Sequence, residues 1–549
     1  MENTLKALIA SSIIILLIFG LVVYAQLTLT QKPIVKLATT TSVYDSGLLE
    51  SILPKFESKY GVEIWILTAG SGQALEIAKR GDADIVLAHS RDLEVDFVKG
   101  GYGIHRIGLM YNSFLIVGPR DDPVGINGLI NATEAFKKIS GKGALEKGKG
   151  ILFISRADFS GTHMMELSIW SRVGRIPFSS GDAWYIEANT GMGAVLRMAN
   201  EKGAYTLVDR GTWLSFRNQL TGLTVLVEKD PSLINPYSLI LINPERNPHV
   251  NFKGALTLAI FLISDEGQKL IESFKKNGEE LFKPLSQNID LATEIGFPNQ
   301  AEELLWYRSQ AEHVEVKDGE TAQRTFLGEI LNITLLSLTV SLSAVSIGAL
   351  IGVPLGAFLG LRRFRGKHAI LRFTEVALKS FVNTLMGLPP VVAGLLIYLL
   401  FNRSGPFGFL GLLYTPIAMM ITQLILVVPV IVGVTMSTVV SIEKPIRERA
   451  LSLGATDRQA TWIILREART GILTAIIVAL GAAISEVGGI MIAGGNIRWA
   501  TRTLTTAIIT EVELGNFTMA TVLGVILLII AFIINLALTV IQIRASRGQ

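Results

Sequence analysis

The sequence predicts two fold classes in one chain: an α/β two-lobed domain, followed by an all-α polytopic membrane domain. Three observations carry this. Residues from about 33 to 320 have the mixed composition of a soluble domain and contain strand–helix–strand series. Residues from about 326 to 545 carry apolar runs near or above the roughly 20 residues that span a bilayer. A chain of 549 residues is also too long for one ordinary domain.

At the N-terminus, Lys6 precedes an apolar run from Ala7 to Ala25. The run fits a secretory signal, with Val23-Tyr24-Ala25 as its cleavage site, or an uncleaved anchor. Either reading takes the soluble domain across a membrane. Residues 1–32 are therefore set apart, and the predicted soluble domain covers 33–285.

Pro33 to Ala38 reads as a strand and runs into the hydroxyl cluster Thr39-Thr40-Thr41-Ser42. A helix follows from about Ser46, with Leu48, Leu49, Ile52, Leu53 and Phe56 at helical spacing. Val62 to Thr68 is a second strand, entering Ala69-Gly70-Ser71-Gly72 and a helix to Arg80. Asp84 to Ala88 is a third strand. This βαβαβ series marks a doubly wound parallel sheet, whose ligands sit beyond the carboxyl ends of the strands.

A second unit repeats the plan. The strand Ile151 to Ile154 leads into the loop Ser155-Arg156-Ala157-Asp158-Phe159-Ser160-Gly161-Thr162 and a helix from His163. Ala183 to Glu187 reads as a further strand, and Gly191-Met192-Gly193 opens another helix. Ser113 to Val117 and Ser238 to Ile242 read as links between the units. This plan implies two lobes, a hinge and a ligand cleft. Three hydroxyl-rich loops at strand ends, with one arginine, supply donors and few acceptors, which is the inventory an oxyanion requires. Thr and Ser before a helix also serve as ordinary N-caps, and Asp158 could cap the helix near Ser160.

The motifs Thr39-Thr40-Thr41-Ser42, Gly70-Ser71-Gly72-Gln73, Arg80-Gly81-Asp82, Ser155-Arg156 with Ser160-Gly161-Thr162-His163, Gly191-Met192-Gly193, Asp209-Arg210-Gly211-Thr212 and Asn235-Pro236-Tyr237 occur in order. Together they resemble the tungstate-binding proteins of ABC importers, over roughly residues 33 to 285. The resemblance implies a type II periplasmic-binding-protein-like fold that closes on a dehydrated oxyanion. It carries ligand contacts to Thr40, Thr41, Ser42, Ser71, Arg156, Ser160, Gly161 and Thr162. Ala157 stands where relatives often have glycine.

Residues 286–325 read as a linker, with a short helix around Leu304-Leu305-Trp306-Tyr307 and a polar tether from Glu312 to Glu320. The membrane domain, 326–549, carries five expected transmembrane helices: about 331 to 359, 381 to 401, 410 to 439, 472 to 494 and 518 to 542. The stretch 361 to 380 holds Arg362, Arg363, Arg365, Lys367, Arg372 and Lys379. The stretch 441 to 470 holds Lys444, Arg447, Arg449, Arg458, Arg466 and Arg469. The opposite loops hold only Arg403, and Arg498 with Arg502. Basic loops stay cytoplasmic, so the soluble domain and the C-terminus are expected outside and inside the cytoplasm respectively.

Glu448-Arg449-Ala450-Leu451-Ser452-Leu453-Gly454, with Ile464 beyond, resembles the coupling (EAA) loop of ABC importer permeases. Pro445 is expected to start its first short helix, and Gly454 to permit a sharp turn. The usual later proline is replaced by Leu465-Arg466-Glu467-Ala468, as in tungstate permeases. Asn383 to Val392, with Pro389-Pro390 breaking the second span, Ala483 to Gly488, and Gly494 to Ile508 also resemble tungstate permeases of the molybdate/sulfate-type group. Glu486, inside a span, is expected to hold helices together. The resemblance implies an ATPase docking on Glu448, Ala450, Gly454 and Ile464, and a homodimer around one pore.

Composition narrows the function. With no cysteine, thiolate metal sites and cysteine nucleophiles are excluded. A dispersed net charge of +4 gives no stripe for nucleic acid. His89, His105 and His163 lack metal-ligand spacing, and no nucleophile–base pair stands out, so neither an enzyme nor a cofactor is expected. No phosphate-binding G-x-x-x-x-G-K-[ST] motif occurs, so ATP hydrolysis falls to a separate protein. The expected function is uptake of tungstate, with molybdate as the near alternative and phosphate, through Asp158 as acceptor, as a further one. A ligand sensor is the alternative of a different class.

Overall fold

A computed structural model of the protein describes residues 33–145, 150–158, 160–178, 180–311, 326–361, 369–514 and 516–547. The N-terminal signal or anchor, the tether from Glu312 to Glu320, and Arg362, Arg363, Arg365 and Lys367 lie outside the described residues. The chain divides into two compact units, one soluble and one membrane-type.

In the soluble unit, strands β1 (Ile34–Thr40), β2 (Glu63–Ala69) and β3 (Ile85–Ala88) are parallel in the order β2-β1-β3. Register places Thr40 opposite Ala69 and Thr39 opposite Leu87. The chain therefore leaves all three strands along one edge. Two long strands complete the frame. β4 (Gly103–Pro119) pairs with most of β9 (Ile234–Ile242), and β9 lies antiparallel to β3. The far half of β4 pairs instead with β7 (Thr206–Asp209) and β8 (Leu223–Val227) of the second lobe. There β5 (Phe153–Ser155) and β6 (Tyr185–Glu187) run parallel. Of the predicted links, Ser113 to Val117 is part of β4, which pairs with strands of both lobes, whereas Ser238 to Ile242 is part of β9 and pairs only within the first lobe, with β3 and the near half of β4. The sheet is mixed rather than wholly parallel, because these returning strands enter antiparallel.

Two apolar cores form. The larger gathers Leu37, Leu49, Ile52, Phe56 and Leu258 of the first lobe and runs on to Ile154, Leu196 and Val208 of the second; the other, within the second lobe, gathers Phe136, Phe153, Trp170 and Trp184. The helix expected from about Ser46 is Leu48–Tyr60. An additional short helix, Thr41–Ser46, precedes it and is ended by Gly47 at φ 83°, whose N–H reaches the Tyr44 carbonyl. Glycine takes this left-handed turn at no steric cost. The domain also continues past 285. The helix Gln300–Ala311 packs on β4: Gln300 bonds both N–H and C=O of Gly108, and buried Tyr307 donates to the His105 carbonyl at 2.8 Å. The short helix expected around Leu304 to Tyr307 is this one, held on β4 by a side-chain clamp and not part of a free linker.

Among the described residues of the membrane unit, three helices are long and apolar enough to span: Leu327–Leu361, Pro416–Ser452 and Phe517–Leu536. Two bent pairs meet the same measure together, Ala377–Met386 with Pro390–Phe401 at 95° and Arg469–Ile484 with Gly488–Gly494 at 60°, which makes five if each pair is one span. The first break lies at the predicted Pro389-Pro390. Gly348, Gly352, Gly356 and Gly360 form one ridge of the first helix, where an added Cβ would fall 2.6–3.0 Å from Val427, Ile431, Val432 and Val439. Such small-residue ridges let membrane helices pack backbone to backbone. The two breaks cross where a Cβ on Gly394 would meet Gly489 Cα at 2.6 Å. Buried Glu486 sits in the second break and accepts from Gly489 N–H at 2.9 Å, while Thr505 Oγ1 donates to its carbonyl.

Candidate functional site

The donor-rich loops converge where β1, β2 and β3 end. Thr40, 2% exposed, closes β1, and its hydroxyl lies 3.1 Å from Ser42 Oγ. Thr41, the next residue, is exposed. Ser71, 1% exposed, opens the helix Ser71–Lys79, and its Oγ has no hydrogen-bond partner. The residue before it is Gly70, so no side chain caps this terminus. The first N–H groups of a helix have no partner inside it. A buried hydroxyl and free backbone donors therefore share one place, an arrangement that favours an anion.

The second lobe presents its own helix start. Ser160 caps the helix Gly161–Val173, accepting from His163 N–H, and Thr162 is 2% exposed. Arg156 leaves β5 and is held by Asp158, whose Oδ2 accepts from Nε at 3.0 Å and Nη2 at 2.5 Å. Asp158 Oδ1 accepts from Ser160 N–H at 3.1 Å. Asp158 thus braces the loop; the cap itself is Ser160. Ala157 adopts φ 52°, a left-handed turn that costs a non-glycine residue on the order of 1 kcal/mol. The Ser155 hydroxyl holds this turn by accepting Ala157 N–H at 3.1 Å.

The lobes meet at a residue the motifs did not single out. His89, immediately after β3, lies 3.2 Å from Ser42 Oγ through Nε2 and 3.0 Å from Asn235 Oδ1 through Nδ1. A Cβ on Gly161 would fall 2.4 Å from its ring, so Gly161 of the second lobe rests directly on His89 of the first. Burial pushes the His89 pKa down to about 4, with the Arg156 charge acting in the same direction. The imidazole is neutral at physiological pH. Asn112, Asn235, Tyr237 and Asp209 complete the surround. Asn235 Nδ2 donates to Asn112 Oδ1 and Tyr237 OH, both at 2.9 Å. Asp209 is raised by burial and accepts from Thr212. Among the described residues no cluster of His, Cys, Asp or Glu could hold a metal ion.

In the membrane unit, Pro445 does not start a helix. The helix Pro416–Ser452 runs straight through it. Proline forfeits one backbone bond, and the ion pair of Glu443 with Arg447, 2.7 Å across the same turn, spans the gap. Gly454 then turns at φ 83°. A capping box of Thr456 and Gln459 opens the return helix Asp457–Glu467. Arg447 Nη1 reaches Asp457 Oδ1 at 2.7 Å and pins the two arms together. Ala450 and Ile464 are buried, and Ile464 packs with Val439 and Ala468. Glu448 lies on the first arm.

Comparison with known proteins covers both units. A PBP superfamily domain matches residues 28–266, and a binding-protein-dependent transport system inner membrane component matches residues 352–547. A tungstate-binding protein of Peptoclostridium acidaminophilum is 44% identical over 252 residues, which is 45% of this chain and 84% of that protein. A tungstate uptake system permease protein of the same organism is 38% identical over 218 residues, 40% of this chain and 92% of that protein. This chain belongs to the binding-protein-dependent ABC importers. Its solute-binding and permease parts, separate in those relatives, are fused in one multi-pass membrane polypeptide. A solved tungstate-binding protein from Desulfovibrio alaskensis G20 is 38% identical, covering 46% of this importer chain and 99% of that chain, with a TM-score of 0.42.

Proposed function

We propose that this importer chain captures tungstate outside the cytoplasm and passes it through a pore formed by two copies of its membrane unit, driven by a separate ATPase. The observation that carries the reading is the buried, unpartnered Ser71 hydroxyl at an uncapped helix start, beside the buried Thr40–Ser42 pair. A buried polar atom without a partner costs free energy unless a ligand satisfies it. Thr40, Thr41, Ser42, Ser71, Ser160, Thr162, the N–H of Gly161 and Arg156 are the contacts we assign. Relatives of both units carry tungstate in their names, which ranks tungstate ahead of molybdate.

Phosphate fits less well. Its protonated form needs an acceptor in the site, and Asp158 already accepts from Arg156 and from Ser160 N–H. The basic loops around Lys379 and Arg449 favour a cytoplasmic coupling arm. We assign ATPase docking to exposed Glu448 and Gly454, whereas Ala450 and Ile464 are buried and support the two arms from within.

Calorimetric titration of the full chain with tungstate, molybdate, sulfate and phosphate tests the reading. Tight tungstate binding with far weaker sulfate and phosphate supports it. Equal affinity for all four contradicts it.

A further inference from the structure

His89 touches every part that must move when an anion binds. Its Nε2 faces Ser42 of the first anion loop, 3.2 Å away. Its Nδ1 faces Asn235 on β9, 3.0 Å away. Its ring centroid stands 4.8 Å from that of Tyr237 on β9 and 6.4 Å from that of Phe114 on β4. Its Cε1 edge supports Gly161 of the second lobe. One side chain thus joins an anion loop, the central strands β4 and β9, and the helix start of the opposite lobe.

The hydrogen-bond logic fixes its state. Asn235 Nδ2 is committed to Asn112 and Tyr237, so Asn235 Oδ1 is the atom left for His89, and it only accepts. Nδ1 must therefore carry the proton. In a neutral imidazole the other nitrogen is then an acceptor, and Ser42 donates to it. The Thr40–Ser42 pair is left with a single arrangement: Thr40 donates to Ser42, and Ser42 to His89.

We propose that His89 is a positioning residue of the anion site, which fixes the direction of the Ser42 hydroxyl and forms the abutment on which the second lobe closes. This role rests on the oxyanion reading of the site. It separates into two contacts that isosteres divide. Asparagine places a polar atom where Nδ1 stands and keeps the Asn235 contact. Glutamine places one where Nε2 stands and keeps the Ser42 contact.

The test is titration of the full-length chain with sodium tungstate for wild type, His89→Gln, His89→Asn and His89→Leu, with thermal unfolding of each. His89→Gln is expected to stay within roughly threefold of wild-type affinity, whereas His89→Asn and His89→Leu lose roughly tenfold or more, the worth of one hydrogen bond. Unfolding midpoints of the Gln and Asn variants should agree, so the affinity difference is not a folding difference. Wild-type affinity in His89→Asn overturns the proposal, and so does a loss in His89→Gln equal to that in His89→Leu. A wild-type chain that binds no tungstate overturns the parent reading, and this inference falls with it.

Discussion

Gly161→Ala is a small change at the most crowded point of the site. The new Cβ would stand 2.4 Å from His89 Cε1, 2.7 Å from Nδ1 and 3.1 Å from Nε2. The ring cannot retreat, because both nitrogens are engaged and Tyr237 backs it. Overpacking of this kind costs about 1–3 kcal/mol, or roughly 5- to 150-fold in an equilibrium constant. The clash lies between the lobes, so it opposes closure and not the folding of either lobe. Alanine is otherwise the better helix former, by up to about 1 kcal/mol. The expected outcome is tungstate affinity reduced roughly 30-fold, with an unfolding midpoint in the absence of ligand equal to or above wild type. Calorimetry and thermal unfolding measured on the same preparation check this. Affinity within twofold of wild type would refute the packing argument. An equal loss of stability without ligand would refute closure as the step affected.

Three further outcomes concern other places in the chain. Ser71→Ala removes a hydroxyl with no partner in the protein; it should lower tungstate affinity by roughly 10- to 150-fold, the value of a hydrogen bond to a charged group, and leave the ligand-free unfolding midpoint unchanged. Glu166 is buried and accepts from Tyr185 OH at 2.7 Å and Trp170 Nε1 at 3.1 Å, and burial pushes its pKa from 4.5 up to about 7. Between those values the folded chain holds a proton that the unfolded chain has released, so this group's contribution to stability is present below pH 4.5 and is lost as pH rises through about 7. Glu166→Gln should therefore gain stability relative to wild type between pH 5 and pH 7.5, read from denaturant midpoints at the two pH values. Gly454→Val forces a β-branched residue into φ 83°, a conformation it adopts only under strain. That variant should bind tungstate normally while losing ATP-driven uptake, as measured by binding and transport on one preparation.

Much of the frame was legible because it rests on local signals. The hydroxyl clusters after β1, β2 and β5 mark strand ends, and parallel register brings the first two to one edge. Pro389-Pro390 announced the first broken span, and Gly454 its turn. His89 and Asn112 were not legible, and Asn235 was legible as part of the Asn235-Pro236-Tyr237 motif but not as a partner of His89. Ser42 and His89 are separated by 47 residues, and His89 and Asn235 by 146. Their meeting depends on β9 lying beside β3, which no local pattern encodes. The position of His89 directly after the third strand of the βαβαβ series was the available signal. Pro445 misled for the opposite reason: a strong local rule gave way inside the long helix Pro416–Ser452, which also runs through Pro429. The helix around Leu304 to Tyr307 was legible, but its docking on the soluble domain was not, because Gln300 anchors it through two backbone bonds and not through a long apolar stripe.

The central claim is that one polypeptide both captures the oxyanion and conducts it. Its most direct test is tungstate accumulation in vesicles containing this chain and its ATPase, with the binding domain outside and ATP within, quantified by elemental mass spectrometry. The account predicts ATP-dependent accumulation that Arg156→Gln abolishes by preventing capture and Gly454→Val abolishes while capture persists. Uptake at the wild-type rate in either variant would contradict it.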